Sequence, residues 1–435
     1  MILSSDKQEK LNEVLVSIIS LLGPRELANH LSLLSEQKAS TSVIFEFILG
    51  GALGLLASDI HFEPSRDLVK IRIRIDGVLQ EAGALSQEEY KYIISRIKLL
   101  GSIKFNITGV AQGGRFTIIN RENNKNIAVR VSLNPSEHGV SAVFRILDPE
   151  AVIIEVQALG LRSDHIITIN EVLKKPNGMI LVTGPTGSGK TTTLYSFLNR
   201  VNNPNIKIIT IEDPVEYHLS GIQQTQVDTA TGYSFGQGLR SILRQDPDII
   251  LIGEIRDAET ANIAIQASLT GHVVFSTLHT NTAAGAIPRL LDLEVESHAI
   301  GPAINMILAQ RLVRKLCVKC RQKIEIDQEY KEKIQQFIHI LLPKIELDTE
   351  DVILYKPVGC SHCIGGYKGR VGIFEIFKID KEIEILTHNK TSEAEIEKYI
   401  FSQGFVNMQQ DGIIKALQGI TSLEEIEKAT GSLVW

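Results

Sequence analysis

Residues Gly184-Pro-Thr-Gly-Ser-Gly-Lys-Thr191 follow an apolar run, Met179 to Val182, and open a helix-compatible stretch, Thr192 to Arg200. The spacing Gly-x-x-x-x-Gly-Lys-[Ser/Thr] between strand and helix is that of a phosphate loop. Gly184, Gly187 and Gly189, with Pro185, Thr186 and Ser188 between them, let successive backbone N–H groups close around phosphate oxygens. Lys190 reaches the outer phosphates, the Thr191 hydroxyl is placed to ligate Mg²⁺, and the helix beginning here turns its positive end toward the anion. A nucleoside triphosphate is the expected ligand, with Thr192 completing the contact set.

Around this loop, from Ser163 to about Leu316, strand-like and helix-like runs alternate, as in a parallel sheet covered on both faces. Strands are expected at Met179–Val182, Ile206–Ile211, Ile249–Ile252 and Val273–Ser276. Each runs into polar chemistry: the phosphate loop, Glu212-Asp-Pro-Val-Glu216, Gly253-Glu-Ile-Arg-Asp257 and Thr277-Leu-His-Thr-Asn281. Ligands of open α/β sheets bind beyond the carboxyl ends of the strands, so the four clusters should meet at one nucleotide. Phosphoryl transfer needs one acidic group to orient water and another to hold the Mg²⁺ shell. Glu216 and Glu254 fit, although by spacing alone Glu212 and Asp213 compete with Glu216. Gly253 stands where a Walker-B strand usually has aspartate, so metal contact from Glu254 is expected through a water. His272 and His279 flank the fourth strand. A lone histidine is most often structural, but His279 at this strand end reads as a γ-phosphate sensor.

Upstream, Val69, Ile71, Ile73 and Ile75 alternate with Lys70, Arg72 and Arg74, giving a strand with one core face and one cationic face. Further strands at Arg115–Ile119, Asn126–Val131 and Val140–Leu147, with a helix at Glu88–Leu100, predict a smaller α+β domain over 39–148. Residues 149–162 read as linker. Ala39 to Ser58 carries one charge, Glu46, and has Gly50 and Gly54 four residues apart. That stretch is short for a membrane span and holds a carboxylate, so a buried helix packing its glycines on a neighbour is expected. Leu11, Val14, Leu15, Ile18 and Leu22 recur at helical spacing, and Leu27, Leu31 and Leu34 resume it after Gly23-Pro24. Residues 1–38 thus read as a short helical appendage whose apolar stripe is covered by the first domain or by a partner's groove.

All four cysteines fall into two pairs, Cys317-x-x-Cys320 and Cys360-x-x-Cys363, with 39 residues between Cys320 and Cys360. This spacing signals a structural Zn²⁺ site, which four thiolates close as a tetrahedron, leaving His362 spare. Two disulfides are the alternative, disfavoured in a reducing cytosol. A zinc subdomain is expected over 317–379, with a charged, helical insertion at 321–359. A helical subdomain over 380–435 would use Thr421-Ser-Leu-Glu424 as a capping box. The 435 residues carry 45 Lys+Arg against 51 Asp+Glu, a net charge of −6, which weighs against a nucleic-acid-wrapping surface. The N-terminus is polar and charged (Ser4, Ser5, Asp6, Lys7) before any apolar run, so a cytoplasmic location is expected.

Taken together, Ala57-Ser-Asp-Ile-His-Phe-Glu-Pro64, the phosphate loop, Glu212-Asp-Pro-Val-Glu-Tyr217, Arg240-Ser-Ile-Leu-Arg-Gln-Asp-Pro-Asp248, Gly253-Glu-Ile-Arg-Asp257, Ser268-Leu-Thr-Gly-His272 and Ser276-Thr-Leu-His-Thr-Asn281 closely resemble the secretion ATPases of type II secretion and type IV pilus assembly, the GspE/PilB group. The resemblance runs from about Ala39 to the C-terminus. It implies a RecA-like ATPase core over 163–316, a PAS-like domain before it, and an ATP-hydrolysing homo-hexamer peripheral to the inner membrane, with a platform protein and cytoplasmic docking proteins as partners. Glu216 would then orient water, Glu254 serve as the Walker-B acid, and Arg130, Arg145, Arg240 and Arg244 clamp phosphates or bridge domains. Zinc-bearing members are typically assembly motors.

This chain departs from the family at Ala111-Gln-Gly-Gly-Arg115, where Pro-Gln-Asp-Gly-Arg is usual, and at Val140, a place commonly held by glutamate. The expected function is a Mg²⁺-dependent motor for pilus or pseudopilus assembly. Its rivals are a DNA-uptake or conjugation motor and a nucleotide-gated assembly scaffold.

Overall fold

The computed structural model describes residues 12–107, 109–148, 154–228, 230–341 and 353–434. The chain divides into two compact units, Met1–Pro149 with Gly359–Lys368, and Glu150–Val358 with Gly369–Trp435.

The first unit contains β1 (Glu13–Val16), α1 (Pro24–Glu36), α2 (Thr41–Gly54), β2 (Asp59–Pro64), β3 (Leu68–Ile75), β4 (Val78–Ser86), α3 (Gln87–Leu100), β5 (Gln112–Asn120), β6 (Asn126–Ser136) and β7 (Gly139–Leu147). The strands form one sheet in the order β1-β5-β6-β7-β2-β3-β4. Alternation decides which face is core: Val69, Ile71 and Ile73 of β3 are fully buried and share a cluster with Phe45, Ile48 and Leu49 of α2 and Ile93 and Ile97 of α3. A capping box of Ser86 and Glu89 fixes the start of α3.

One expectation is corrected here. In place of the helix predicted over Leu11–Leu22 the chain forms β1, paired in parallel with β5 from Glu13↔Thr117 to Val16↔Asn120, and then runs on without regular secondary structure. Val14 and Val16 are buried while Leu15 is half exposed, a period of two that the 3.6-residue spacing of the leucines concealed. Pairing on the exposed edge of β5 satisfies backbone groups and covers that edge, which a free helix would not do. Leu11 lies outside the described residues. The second run does form a helix, α1, with Leu27 and Leu31 fully buried in the first unit's core. As expected, Gly50 and Gly54 of the buried helix α2 meet a neighbour closely, the chain that follows β1: a Cβ on Gly50 would lie 2.3 Å from the Ser17 carbonyl oxygen, and one on Gly54 1.8 Å from that of Ile19. Of the linker expected over 149–162, residues 149–153 lie outside the described residues.

The second unit contains α4 (Ser163–Val172), β8 (Gly178–Thr183), α5 (Lys190–Val201), β9 (Ile208–Glu212), β10 (Gln223–Gln226), α6 (Phe235–Leu243), β11 (Ile249–Ile252), α7 (Ala258–Leu269), β12 (Val273–Leu278), α8 (Ala286–Asp292), α9 (Ser297–Ala303) and β13 (Ile304–Leu316). After them come β14 (Gln322–Ile324), α10 (Gln328–Leu341), β15 (Leu354–Lys356), β16 (Tyr367–Lys378), α11 (Lys381–His388), α12 (Glu393–Ser402), α13 (Met408–Leu417) and α14 (Leu423–Thr430). The main sheet has the order β10-β9-β11-β12-β8-β13-β16, with β10 to β13 parallel. Along β8, Met179 and Leu181 face a core built with α6 to α9, whereas Ile180 and Val182 face one built with α4 and α5. Both faces are therefore covered, which is why the strands read as unbroken apolar runs.

Ser422, not Thr421, caps α14, accepting from Glu425 N at 3.4 Å, while Thr421 Oγ1 donates to the Arg314 carbonyl at 2.8 Å. Residues 342–352 of the expected insertion lie outside the described residues. Among the described residues no helix is long and apolar enough to cross a membrane.

Candidate active site

Because β8, β9, β11 and β12 run in one direction, their polar extensions leave the sheet along one edge. Hydrogen bonds fasten neighbouring extensions: Thr280 N donates to Thr183 Oγ1 at 2.9 Å, Thr277 Oγ1 to the Gly253 carbonyl at 2.8 Å, and Gly253 N to the Ile211 carbonyl at 2.8 Å. Gly184 has φ 144°, and a Cβ there would lie 2.5 Å from the Gln310 carbonyl oxygen, so only glycine fits where the loop leaves β8.

Gln310 of β13 escaped the sequence reading. Its Nε2 donates to the Ser188 carbonyl at 2.7 Å and its Oε1 accepts from Thr193 Oγ1 at 2.8 Å, tying the loop to the first turn of α5. Nothing local in the sequence marks it, since it acts across the sheet from a neighbouring strand.

Lys190 Nζ donates to the carbonyls of Gly184 at 2.7 Å and Pro185 at 3.2 Å, placing the ammonium over the loop. Burial lowers its pKa while the Glu254 charge pulls the other way. The Ser188 hydroxyl is buried without a partner among the described residues, and Thr191 is exposed at the start of α5. An orphaned donor inside a ring of positive-φ glycines is what a phosphate cradle requires. Glu254 accepts from Arg256 at 2.5 Å and lies 3.3 Å from His279 Nε2. Burial pushes its carboxyl up, but Arg256 and His279 outweigh that and hold it below the ordinary glutamate value, hence ionised. Arg256 also lies 3.9 Å from Asp213, spanning two of the four clusters. Thr191 and Glu254 are the residues that would hold Mg²⁺, which would neutralise phosphate charge.

Glu212 and Glu216 differ. Glu212 is buried and accepts from Thr210 at 2.6 Å, from Gln224 at 3.2 Å and from the Tyr195 hydroxyl. Burial raises its pKa, against these donors. Glu216 is partly exposed and forms no hydrogen bond among the described residues. It keeps its carboxylate available where that of Glu212 is spent. His272 Nδ1 lies 3.1 Å from the Ala267 carbonyl, at the far end of β12 from His279.

Among the arginines, Arg240 pairs with Glu259 at 2.5 Å and Arg244 is exposed at the end of α6. Arg130 and Arg145 stand opposite each other on β6 and β7 of the first unit, both exposed. Arg145 Nε donates to Asp59 at 3.2 Å.

Among the described residues no disulfide links the four cysteines. The Sγ atoms of Cys317, Cys320, Cys360 and Cys363 all lie within 4.8 Å of one another, and those of Cys360 and Cys363 are 3.7 Å apart. A tetrahedron with Zn–S of about 2.3 Å has edges of about 3.8 Å, so the cluster fits Zn²⁺ held by four thiolates.

Comparison with known proteins agrees with this geometry. The sequence model of the Type II/IV secretion system protein family matches residues 35–428. The type II secretion system ATPase E of Vibrio cholerae is 42% identical over 397 residues, covering 91% of this chain and 76% of its own. The type IV pilus assembly ATPase PilB of Pseudomonas aeruginosa is 42% identical over 388 residues, covering 89% of this chain and 66% of its own. Among solved structures, the pilus retraction motor PilT with bound ADP superposes with a TM-score of 0.59 at 28% identity, covering 88% of this chain and 96% of PilT. The ATPase DotB of Legionella pneumophila shares the fold, with a TM-score of 0.64 at 23% identity, covering 89% of this chain and 95% of DotB. With this phosphate loop at the edge of its parallel sheet, the chain is an ATPase and belongs to the type II/IV secretion system protein family.

Proposed function

We propose that this chain is a Mg²⁺-dependent motor that works as a homo-hexameric ring on the cytoplasmic face of the inner membrane, energising type IV pilus or secretion pseudopilus assembly. The observation that carries the reading is the gathering of Lys190, Glu254 and His279 with the 213–219 loop at one sheet edge, in a chain 42% identical both to a secretion ATPase and to a pilus assembly ATPase. Lys190 and the loop amides hold the β- and γ-phosphates, and Thr191 and Glu254 hold the metal, Glu254 through water. Glu216 orients the attacking water, and His279 senses the γ-phosphate through Glu254. Arg130, Arg145, Arg240 and Arg244 are the cations we assign to phosphate charge. Occupancy of the γ-phosphate favours one conformation and hydrolysis releases it, which is a stroke. The four cysteines hold Zn²⁺ for structure only.

The test pairs membrane pull-down with ATP turnover. Recovery of membrane-platform and docking proteins, with assembly lost when hydrolysis is lost, supports the reading. Strong stimulation by single-stranded DNA at physiological salt indicates a DNA motor instead. Assembly unchanged by loss of hydrolysis indicates a scaffold.

A further inference from the structure

Gln224 sits on β10, the edge strand of the parallel sheet, opposite Thr210 of β9. Its side-chain amide bonds to the loop that carries Glu216 at two backbone points. Nε2 donates to the Tyr217 carbonyl at 2.9 Å and Oε1 accepts from Leu219 N at 2.7 Å. The same Nε2 lies 3.2 Å from Glu212 Oε1, immediately before the loop. Glu212 is itself fixed by Thr210 Oγ1 and by the hydroxyl of Tyr195. Tyr195 lies on α5, the helix that begins with Lys190. A continuous line of hydrogen bonds thus runs from the phosphate-loop helix through Tyr195, Glu212 and Gln224 to both sides of the 213–219 segment. Glu216, which none of these bonds touches, rides on the segment they hold.

We infer that Gln224 is a positioning residue, which with Glu212 and Tyr195 sets the place of the Glu216 carboxylate relative to the nucleotide on the phosphate loop. This rests on the reading of Glu216 as the water-orienting group. A primary amide suits the task because it offers a donor and an acceptor together, matching one carbonyl and one N–H two residues apart. A carboxylate at 224 would keep the acceptor for Leu219 N, lose the donor to Tyr217 and face the buried Glu212. A leucine would lose both. Neither change touches a nucleotide contact assigned above, so ground-state affinity should survive while the transition state suffers; a displacement of about 1 Å costs on the order of a hundredfold in rate.

The experiment is a double-mutant cycle on the full chain with Gln224→Leu and Glu216→Gln. It reads single-turnover hydrolysis of ATP labelled at the γ-phosphate, equilibrium ATP affinity and melting temperature. Gln224→Leu is expected to slow hydrolysis about ten- to a hundredfold, with affinity within about threefold of wild type and the melting temperature changed by only a few degrees. Added to Glu216→Gln it should slow hydrolysis little further, because residues acting through one another are not additive. Full additivity, an unchanged rate for Gln224→Leu, or affinity and folding lost together with rate would each overturn the positioning role while leaving Glu216 in place. Near-normal hydrolysis by Glu216→Gln alone would overturn the catalytic reading and the positioning role with it. Gln224→Glu, close to glutamine in volume, serves as the second variant and should show the same split between rate and affinity.

Discussion

The two large sheets gather their polar chemistry in different ways. In the second unit, β10 to β13 run in parallel, so the loops that leave them meet along one edge and the working residues come in short consecutive blocks, such as Gly184 to Thr191 and Gly253 to Asp257. In the first unit, neighbours from β5 to β4 run antiparallel, and polar residues line up across a face instead. Arg115, Arg130, Arg145, Asp59 and Arg74 stand opposite one another on β5, β6, β7, β2 and β3. Each strand contributes one residue. An edge site is thus written in the sequence as motifs, whereas a face row is written as single residues up to 86 positions apart (Asp59 to Arg145), held by register alone.

Breaking the edge should have the largest effect. Lys190→Ala removes a phosphate contact made in ground and transition states alike, so both ATP affinity and turnover should fall, affinity by at least about thirtyfold. An isotherm within a few fold of wild type would mean that the edge does not carry the nucleotide. Next comes the cysteine cluster. Purified protein should contain about one zinc per chain, and Cys317→Ser should destabilise the second unit by several kcal/mol, since metal binding here is folding energy. Metal analysis with thermal unfolding decides it, and metal-free protein with an unchanged melting temperature would contradict it.

Breaking the face row should cost less. Asp59 is buried at 5% exposure, and Arg145 and Arg74 lie 3.2 and 3.4 Å from its carboxylate. Asp59→Asn should lower stability by about 1–2 kcal/mol, a discounted figure because both arginines remain wetted. Denaturant midpoints measure it, and the loss should shrink in the background of Arg145→Gln.

A pH-dependent effect lies behind the parallel sheet. There Arg162 pairs with Asp164 and Asp411 at 2.8 Å, Asp411 also pairs with Lys415, and His165 is buried beside them with Nδ1 unpartnered among the described residues. Burial, with Arg162 next, pushes the His165 imidazole down to about 4. The unfolded chain takes up the proton near 6.5 and the folded chain does not, so this stability is full above about 6.5 and drains away as pH falls toward about 4. Melting temperatures from pH 7 to 4 for wild type and His165→Asn should converge as pH falls; parallel curves would remove the effect.

Legibility in the sequence followed the same division. The phosphate loop, the strands that end in Glu212, Ile252 and Leu278, and the paired cysteines were readable because each is contiguous or fixed in spacing. Gln310, Gln224 and Tyr195 were not, since each acts from a neighbouring element and its own surroundings look ordinary. The segment over Leu11–Leu22 misled because leucines at helical spacing overlie a period-two pair, Val14 and Val16, and the open edge of β5 decided between them. The cap at Ser422 slipped by one residue because Thr421 had a better partner in the Arg314 carbonyl.

The central claim is that one sheet edge binds ATP through Lys190 and hydrolyses it through Glu216. Parallel measurement of ATP affinity and steady-state turnover in Glu216→Gln tests it most directly. Affinity should stay near that of wild type while turnover falls by about two orders of magnitude or more, because a group that only orients water acts in the transition state. Turnover within a few fold of wild type would contradict the account and move the catalytic role to another acid of the 212–216 cluster.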